Sequence, residues 1–395
     1  MSLAILGDEP VFSHPLHVGC PNIGDRSRLI ARINAALDRR WLTNGGPLVE
    51  EFEAAVAEVA GVSECVVTSN GTAALELAIR ALGMSGQVIV PSFTFSATVH
   101  ALTWQRITPV FADIDPVTLN VDPADVECLM TPDVKGIIGV HLWGRGCDVE
   151  SLSAIANQHQ IPLLLDAAHA FGCTYQRRPV GSFGDAEIFS FHGTKFINSF
   201  EGGAVVTNNR SLAERLRLMR NFGFGGYDDV VHLGTNGKMN EAEAAMGLTN
   251  LESMSEFVDR NRANHELYSK LIESNPGLQV LSYTPAENQN YQYVVVDVQP
   301  EVCGLSRDQL VEVLFSENVL ARRYFYPGVH RMSAFRGLTP PRPLPVTESF
   351  CERLFQLPTG MSIDAATVRS VCDIIRKAID RAPEIVKHLQ TSSPD

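Results

Sequence analysis

The segment Ser190-Phe191-His192-Gly193-Thr194-Lys195 closes a short apolar run and leads on to Glu201-Gly202-Gly203-Ala204. A lysine set among apolar and small residues at the end of a buried strand is unusual, because burial disfavours its charged form. A depressed pKa is what an amine needs to attack an aldehyde and hold a Schiff base. Gly193 lets the backbone come close to a ligand, and Ser190 offers a hydroxyl to an anion. The competing reading of these residues is a surface lysine on a loop. A second segment, Leu163-Leu164-Leu165-Asp166-Ala167-Ala168-His169, is an apolar strand ending in a carboxylate, and strand ends are where α/β sheets place their ligands. An acid there can keep a heteroaromatic nitrogen protonated. At about 4 Å and a moderate effective dielectric such a pair is worth roughly 4 kcal/mol, enough to decide a protonation state. His169, three residues on, is placed to bond a phenolic oxygen on the same ring; a histidine satisfied within the core is the alternative.

A third segment, Thr68-Ser69-Asn70-Gly71-Thr72-Ala73-Ala74-Leu75, passes from a strand into an Ala/Leu-rich helix. A helix N-terminus opened by Gly71 and Thr72 suits an anion, although a plain helix cap accounts for the same residues. The pattern is neither G-x-G-x-x-G nor a Walker loop, so a dinucleotide or a nucleoside triphosphate fits poorly. Pro91-Ser92-Phe93-Thr94-Phe95 follows the next strand. It offers an aromatic to stack on a cofactor ring, worth about 1 kcal/mol, unless that ring is core filler. An amine, a ring-nitrogen acid, an anion cradle and a stacking ring together describe a site for pyridoxal 5′-phosphate (PLP), whose pyridinium ring accepts carbanion electrons.

The elements that must hold these residues alternate along the chain. A helix over 27–38 leads through Leu42-Thr43-Asn44-Gly45-Gly46-Pro47 into a second over 47–60, with apolar spacing at Val49, Phe52, Val56 and Val59. Apolar runs at 65–68, 87–90, 109–112, 136–141, 161–166, 186–190 and 204–207 lack polar alternation, which predicts strands covered on both faces of a mainly parallel sheet. Beyond Gly234 the pattern changes to a helical stretch over about 240–275, strands at 278–282 and 291–298, a helix near 306–317, a strand at 319–324 and C-terminal helices. The fold class expected is α/β: a large PLP-binding domain with an N-terminal arm over 1–250, and a smaller α+β domain over 251–395. The Ser/Pro tail 391–395 reads as frayed.

A chain of 395 residues with 45% hydrophobic and 19% charged residues is long enough for two sizeable cores. The formal net charge of −13 argues against a nucleic-acid partner, which calls for a basic stripe. Eight cysteines without a C-x-x-C pair suggest reduced thiols. His14 and His17 form an H-x-x-H with no acidic or thiol partner nearby, so no metal is expected. The absence of a basic segment leading into an apolar run, and of a long apolar stretch, points to a cytoplasmic protein with no membrane partner.

Together these residues resemble the fold-type I PLP enzymes, and more closely the DegT/StrS-type nucleotide-sugar aminotransferases. The resemblance runs from Trp41–Pro47 with Phe52-Glu53, through Asn70-Gly71-Thr72, Pro91–Thr98, Asp166–His169 and Ser190–Gly203. It continues at Gly234-Thr235-Asn236-Gly237-Lys238-Met239-Asn240-Glu241, which looks like the family's G-x-N-x-R-M-x-E, and ends at Tyr324–His330 and Leu357-Pro358. It implies that Lys195 is the Schiff-base lysine and general base, Asp166 the pyridine-nitrogen partner, and His169 the neighbour of the phenolic oxygen. It implies further that Phe95 stacks on the ring and that Gly71, Thr72 and Ser190 hold the phosphate. Asn236 would reach the phosphate in a neighbouring subunit, making a homodimer with shared active sites. Lys238 stands where the family has Arg and His169 where it often has Gln; relatives that dehydrate sugars carry His in place of the lysine. Val11–Gly19, His141-Leu142-Trp143-Gly144 and Phe191–Lys195 look like the branch that aminates C4 of a dTDP-linked 4-keto-6-deoxyglucose with L-glutamate as donor. Asn44, Trp143, Tyr326 and His330 are the candidates for the substrate opening. The alternatives are a C3-keto sugar nucleotide or an inosose as acceptor, or a PLP-binding regulator without turnover.

Overall fold

The computed structural model describes residues 3–392. Its centre is a seven-stranded sheet of β1 (Glu64–Thr68), β2 (Gln87–Pro91), β3 (Thr108–Ala112), β4 (Val134–Val140), β5 (Leu163–Asp166), β6 (Ala186–Ser190) and β7 (Gly203–Thr207). The spatial order is β1-β7-β6-β5-β4-β2-β3. Only β7 runs antiparallel to its neighbours, pairing Gly203 with Thr68 on one side and Ser190 on the other. The six parallel strands therefore end on one edge, and that edge carries the ends of β1, β2, β5 and β6.

The absence of polar alternation has the expected cause. Successive strand residues face opposite sides, and helices cover both. Val88, Val90, Ile138, Leu164 and Ile188 pack with Leu75 and Ala78 of the helix Gly71–Ala81 and with Val99 and Leu102 of Ser96–Thr103. On the opposite face Val67, Phe189 and Ala204 meet Phe52 and Val56 of Pro47–Ala60. There too, Ile89, Ile137, Leu163 and Leu165 meet Leu152 and Ile155 of Val149–His159.

A second, three-stranded antiparallel sheet joins β8 (Leu278–Val280), β9 (Val294–Val298) and β10 (Leu354–Leu357). Its core is shared with the helices Met254–Ile272, Arg307–Ser316 and Ala365–Asp380. Leu3, and behind it Ile5, Leu6, Phe12 and Leu16, pack into this same core. The buried Glu317 carboxylate fixes that arm, accepting the N–H of Ala4 at 2.8 Å and of Val11 at 2.7 Å. Asn318 donates to the Phe12 carbonyl at 2.7 Å, and Leu16–His17 pairs in parallel with Val319–Leu320.

Three expectations change. The helical stretch over 240–275 is two helices, Glu241–Glu252 and Met254–Ile272, interrupted at Ser253, whose N–H turns back to the Asn250 carbonyl. The strand expected over 319–324 stops at Leu320, because beyond it only Arg322 finds a ladder partner, Gln356. Thr391, expected to fray, lies within the helix Ala382–Ser392, its hydroxyl donating to the carbonyls of Lys387 and His388; residues 393–395 of that tail lie outside the described residues. Among the described residues no helix is long and apolar enough to cross a membrane.

Candidate active site

The C-terminal edge of the central sheet opens into a cavity of about 700 Å³. Gly71, Thr72, Phe95, Asp166, His169, Ser190 and Lys195 all line it. Residues from four separate strand ends thus meet in one place, as the parallel order of β1, β2, β5 and β6 requires.

Asp166 is the last residue of β5 and is buried. One carboxylate oxygen accepts the Thr98 hydroxyl at 2.8 Å, and the other accepts the Ala168 N–H at 3.1 Å. Its pKa is raised, because burial outweighs those two bonds and the nearby Lys195, which pull it down. Two donors aimed at the carboxylate hold it in one orientation and favour its anion. Lys195 sits in a tight turn after β6, its own N–H donating to the His192 carbonyl at 2.8 Å. Burial lowers its pKa to about 8, against an opposing pull from Asp166. An amine so placed is neutral, and therefore nucleophilic, in a far larger fraction near physiological pH than an ordinary lysine.

His169 is buried and its pKa lies well below the ordinary histidine value, first because of burial and then because of Lys195. Its Nδ1 accepts the Trp143 N–H at 3.4 Å, which assigns the proton to Nε2 and makes the neutral ring a donor. Phe325 stacks against the ring, with centroids 6.0 Å apart and planes at 11°.

The helix Gly71–Ala81 opens with Asn70, whose side chain accepts the Ala73 N–H at 2.8 Å. The N–H groups of Gly71 and Thr72 have no partner among the described residues, so they remain for an anion. Gly71 is required by space: a Cβ there would lie 2.9 Å from Ser190 Cβ and 3.1 Å from its hydroxyl. Phe95, half-exposed immediately before the helix Ser96–Thr103, presents a face to the same space. A poised amine, an oriented buried acid, a neutral imidazole donor, an aromatic and an open N–H cradle fit PLP, an anionic aromatic aldehyde with a basic ring nitrogen.

The residues expected at the substrate opening lie elsewhere in the protomer. Trp143 is 1% exposed and stacks on Phe325 at 5.8 Å, one layer behind the wall. His330 is held by Ser92, at 2.6 Å from Nδ1, and by Glu348, at 3.4 Å from Nε2. Tyr326 lies between the guanidinium groups of Arg307 and Arg323, each 5.0 Å from its ring. Asn44 occupies an exposed turn with φ of 63°. None of the four lines the cavity. Asn236 is exposed and also outside it, although the neighbouring Gly237 carbonyl accepts the Ser69 N–H at 2.8 Å beside the cradle.

Other residues form the remaining wall. The arm contributes His17 through Pro21, and Gly19 packs so closely on Thr194 that a Cβ would come within 2.8 Å of it. The second sheet and its connections contribute Tyr293, Arg322, Tyr324, Phe325 and Gln356. Two marks in the sequence pointed to this wall: the Arg322-Arg323 pair before an aromatic run, and Gln356 as a lone polar residue in Leu354-Phe355-Gln356-Leu357.

A family model described as the DegT/DnrJ/EryC1/StrS aminotransferase family matches residues 24–376. A crystal structure of DesI in the presence of its TDP-sugar product superposes with a TM-score of 0.95 at 48% identity, covering 98% of this chain and 99% of that one. The dTDP-4-amino-4,6-dideoxy-D-glucose transaminase of Shigella dysenteriae is 33% identical over 92% of this chain and 99% of its own. GDP-perosamine synthase of Escherichia coli O157:H7 is 33% identical over 87% and 94%.

Proposed function

The chain belongs to the DegT/DnrJ/EryC1/StrS aminotransferase family, a PLP-dependent family, and from that premise we propose a specific reaction. The enzyme moves an amino group from L-glutamate to the 4-keto group of a dTDP-linked 4-keto-6-deoxy-hexose in the cytoplasm, giving dTDP-4-amino-4,6-dideoxy-D-glucose. The observation that carries this reading is the poised Lys195 amine facing the buried Asp166 carboxylate in one cavity, in a chain 48% identical to a protein solved with a TDP-sugar product.

Bound PLP supplies an electron sink for the carbon that loses or gains a proton. Lys195 would hold the cofactor and its Nζ would carry that proton; a positioned amine of this kind contributes roughly 10²–10⁴-fold. Asp166 would keep a proton on the ring nitrogen, His169 would offer its Nε2–H to the phenolic oxygen, Phe95 would cover the ring, and Gly71, Thr72 and Ser190 would hold the phosphate.

The test is product analysis with purified enzyme, L-glutamate and a panel of nucleotide keto-sugars. The expected products with dTDP-4-keto-6-deoxy-D-glucose are 2-oxoglutarate and a sugar nucleotide whose nitrogen sits on C4 by NMR. An amine at C3, or reaction only with a GDP-linked sugar or an inosose, would replace this assignment.

The active unit in this reading is a homodimer in which Asn236 serves the partner's phosphate site. Support comes from the surface around it: Phe222, Phe224, Tyr227 and Leu233 are exposed, Leu233 to 76%, as suits a face covered by a second copy. Mixing Lys195→Ala with Asn236→Ala chains should regenerate one intact site per heterodimer, restoring activity well above that of either parent. If subunit exchange leaves activity at the level of the separate variants, the sites are not shared.

A further inference from the structure

On the part of the cavity wall built by the second sheet, one side chain has no match within the protein. Gln356 lies inside β10 with 0% of its surface exposed, yet it lines the cavity. Its neighbours Phe355 and Leu357 face the second core. Leu354, two residues back and therefore on the same face as Gln356, packs with Val295 and Phe325 in the cluster between the two sheets. The backbone of Gln356 is satisfied by Arg322, which accepts its N–H at 2.8 Å and donates to its carbonyl at 3.2 Å. The carboxamide is not: neither Oε1 nor Nε2 has a partner among the described residues. The other buried unpartnered groups belong to Trp143, Tyr268, Gln289, Arg307 and Thr347, and none of those residues lines the cavity.

An unpartnered buried carboxamide is destabilising, and a leucine of similar size would suit this apolar strand better. The amide is accounted for if a ligand completes it. It offers an acceptor and donors side by side. A hydroxyl uses both, whereas a carboxylate uses only the donors and brings its charge against Oε1. That chemistry separates the two substrates of an amino-sugar transaminase, because the hexose carries ring hydroxyls and the amino donor's recognition groups are carboxylates. We propose that Gln356 is a specificity residue that reads a ring hydroxyl of the hexose, giving one hydrogen bond and receiving one. This rests on the amino-sugar reading and narrows its substrate class to hexoses that retain that hydroxyl. A site built around such a bond rejects the deoxy analogue strongly, because the analogue leaves the amide unpartnered.

The experiment uses the full-length holoenzyme, wild type and Gln356→Leu, with the two half-reactions followed separately by cofactor absorbance. The sugar half-reaction is run with dTDP-4-keto-6-deoxy-D-glucose and with its 2-deoxy and 3-deoxy analogues; Tm is measured without substrate. Gln356→Leu should keep the glutamate half-reaction within about twofold and lose roughly 10²-fold in kcat/KM for the hydroxylated sugar. Its preference for that sugar over one deoxy analogue should fall toward one, while Tm holds or rises because no polar group is left unpartnered. Gln356→Met, which keeps the length but has neither the amide donors nor the amide acceptor, should lose the same preference, so the result does not hang on one variant's folding. A parallel fall in both half-reactions, or an intact preference in Gln356→Leu, overturns the proposal. A wild-type enzyme that takes the amine from glutamate but passes it to no hexose defeats the substrate reading first, and this proposal with it.

Discussion

Lys195→Ala should fold like the parent protein and lose turnover by at least roughly 10⁴-fold, since one substitution removes both the covalent anchor and the proton carrier. The fold should survive because burial and the through-space influence of Asp166, not a hydrogen bond, are what act on the side chain; the turn is set by its backbone N–H to His192. Removing an amine whose burial lowers its pKa to about 8 also removes an unfavourable desolvation, so Tm should not drop. Borohydride treatment of the wild-type holoenzyme should fix the cofactor mass on the peptide containing Lys195. A label on another lysine would sink the assignment.

Asp166→Asn has the next largest expected effect: bound cofactor retained, turnover down by roughly 10³-fold. The figure follows from a charge pair worth about 4 kcal/mol at hydrogen-bond distance and moderate dielectric, converted at 1.36 kcal/mol per decade. The asparagine can still accept the Thr98 hydroxyl that now reaches Asp166 at 2.8 Å, so the loss reports charge and not collapse of the wall. The sign of a second effect is fixed as well. Asp166 raises the pKa of Lys195 from what burial alone would impose, so in the cofactor-free variant Lys195 should titrate below about 8. Near wild-type turnover in this variant would assign the ring nitrogen to a different partner.

Asp166 and Lys195 were legible because their signal is local. An apolar run that ends in a single ionisable residue says both where the strand stops and what faces the ligand, as β5 does at Asp166; β6 ends at Ser190, and Lys195 follows it in the Gly-bearing turn. The helix Pro47–Ala60 was legible to the residue, since Pro47 opens it and Gly61 closes it with a left-handed φ of 65°. The break at Ser253 carries no proline or glycine, and a strand tract such as 319–324 does not reveal how far its ladder partner extends. Trp143 illustrates the limit at the site. A tryptophan beside glycine reads as a pocket lining, but its burial depends on Phe325, 182 residues further along, which stands between it and the cavity. The sequence marks Gln356 only as a lone polar residue in an apolar strand, and the arm not at all, because what makes them part of the wall is their contact with distant chain and not their own neighbours.

The seating of that arm also bears on the order in which the protein comes together during synthesis. Ala4 and Val11 wait for a carboxylate that is 313 and 306 residues downstream. The central sheet, whose last strand ends at Thr207, can pair its strands while Glu317 is still unmade. Until then Leu3, Ile5 and Leu6 have no core to enter, and the cavity lacks the wall from His17 to Pro21. The earliest stretch of the arm to leave the ribosome is thus among the last to find its place, and a nascent chain with its sheet already formed still has an open-sided, inactive site.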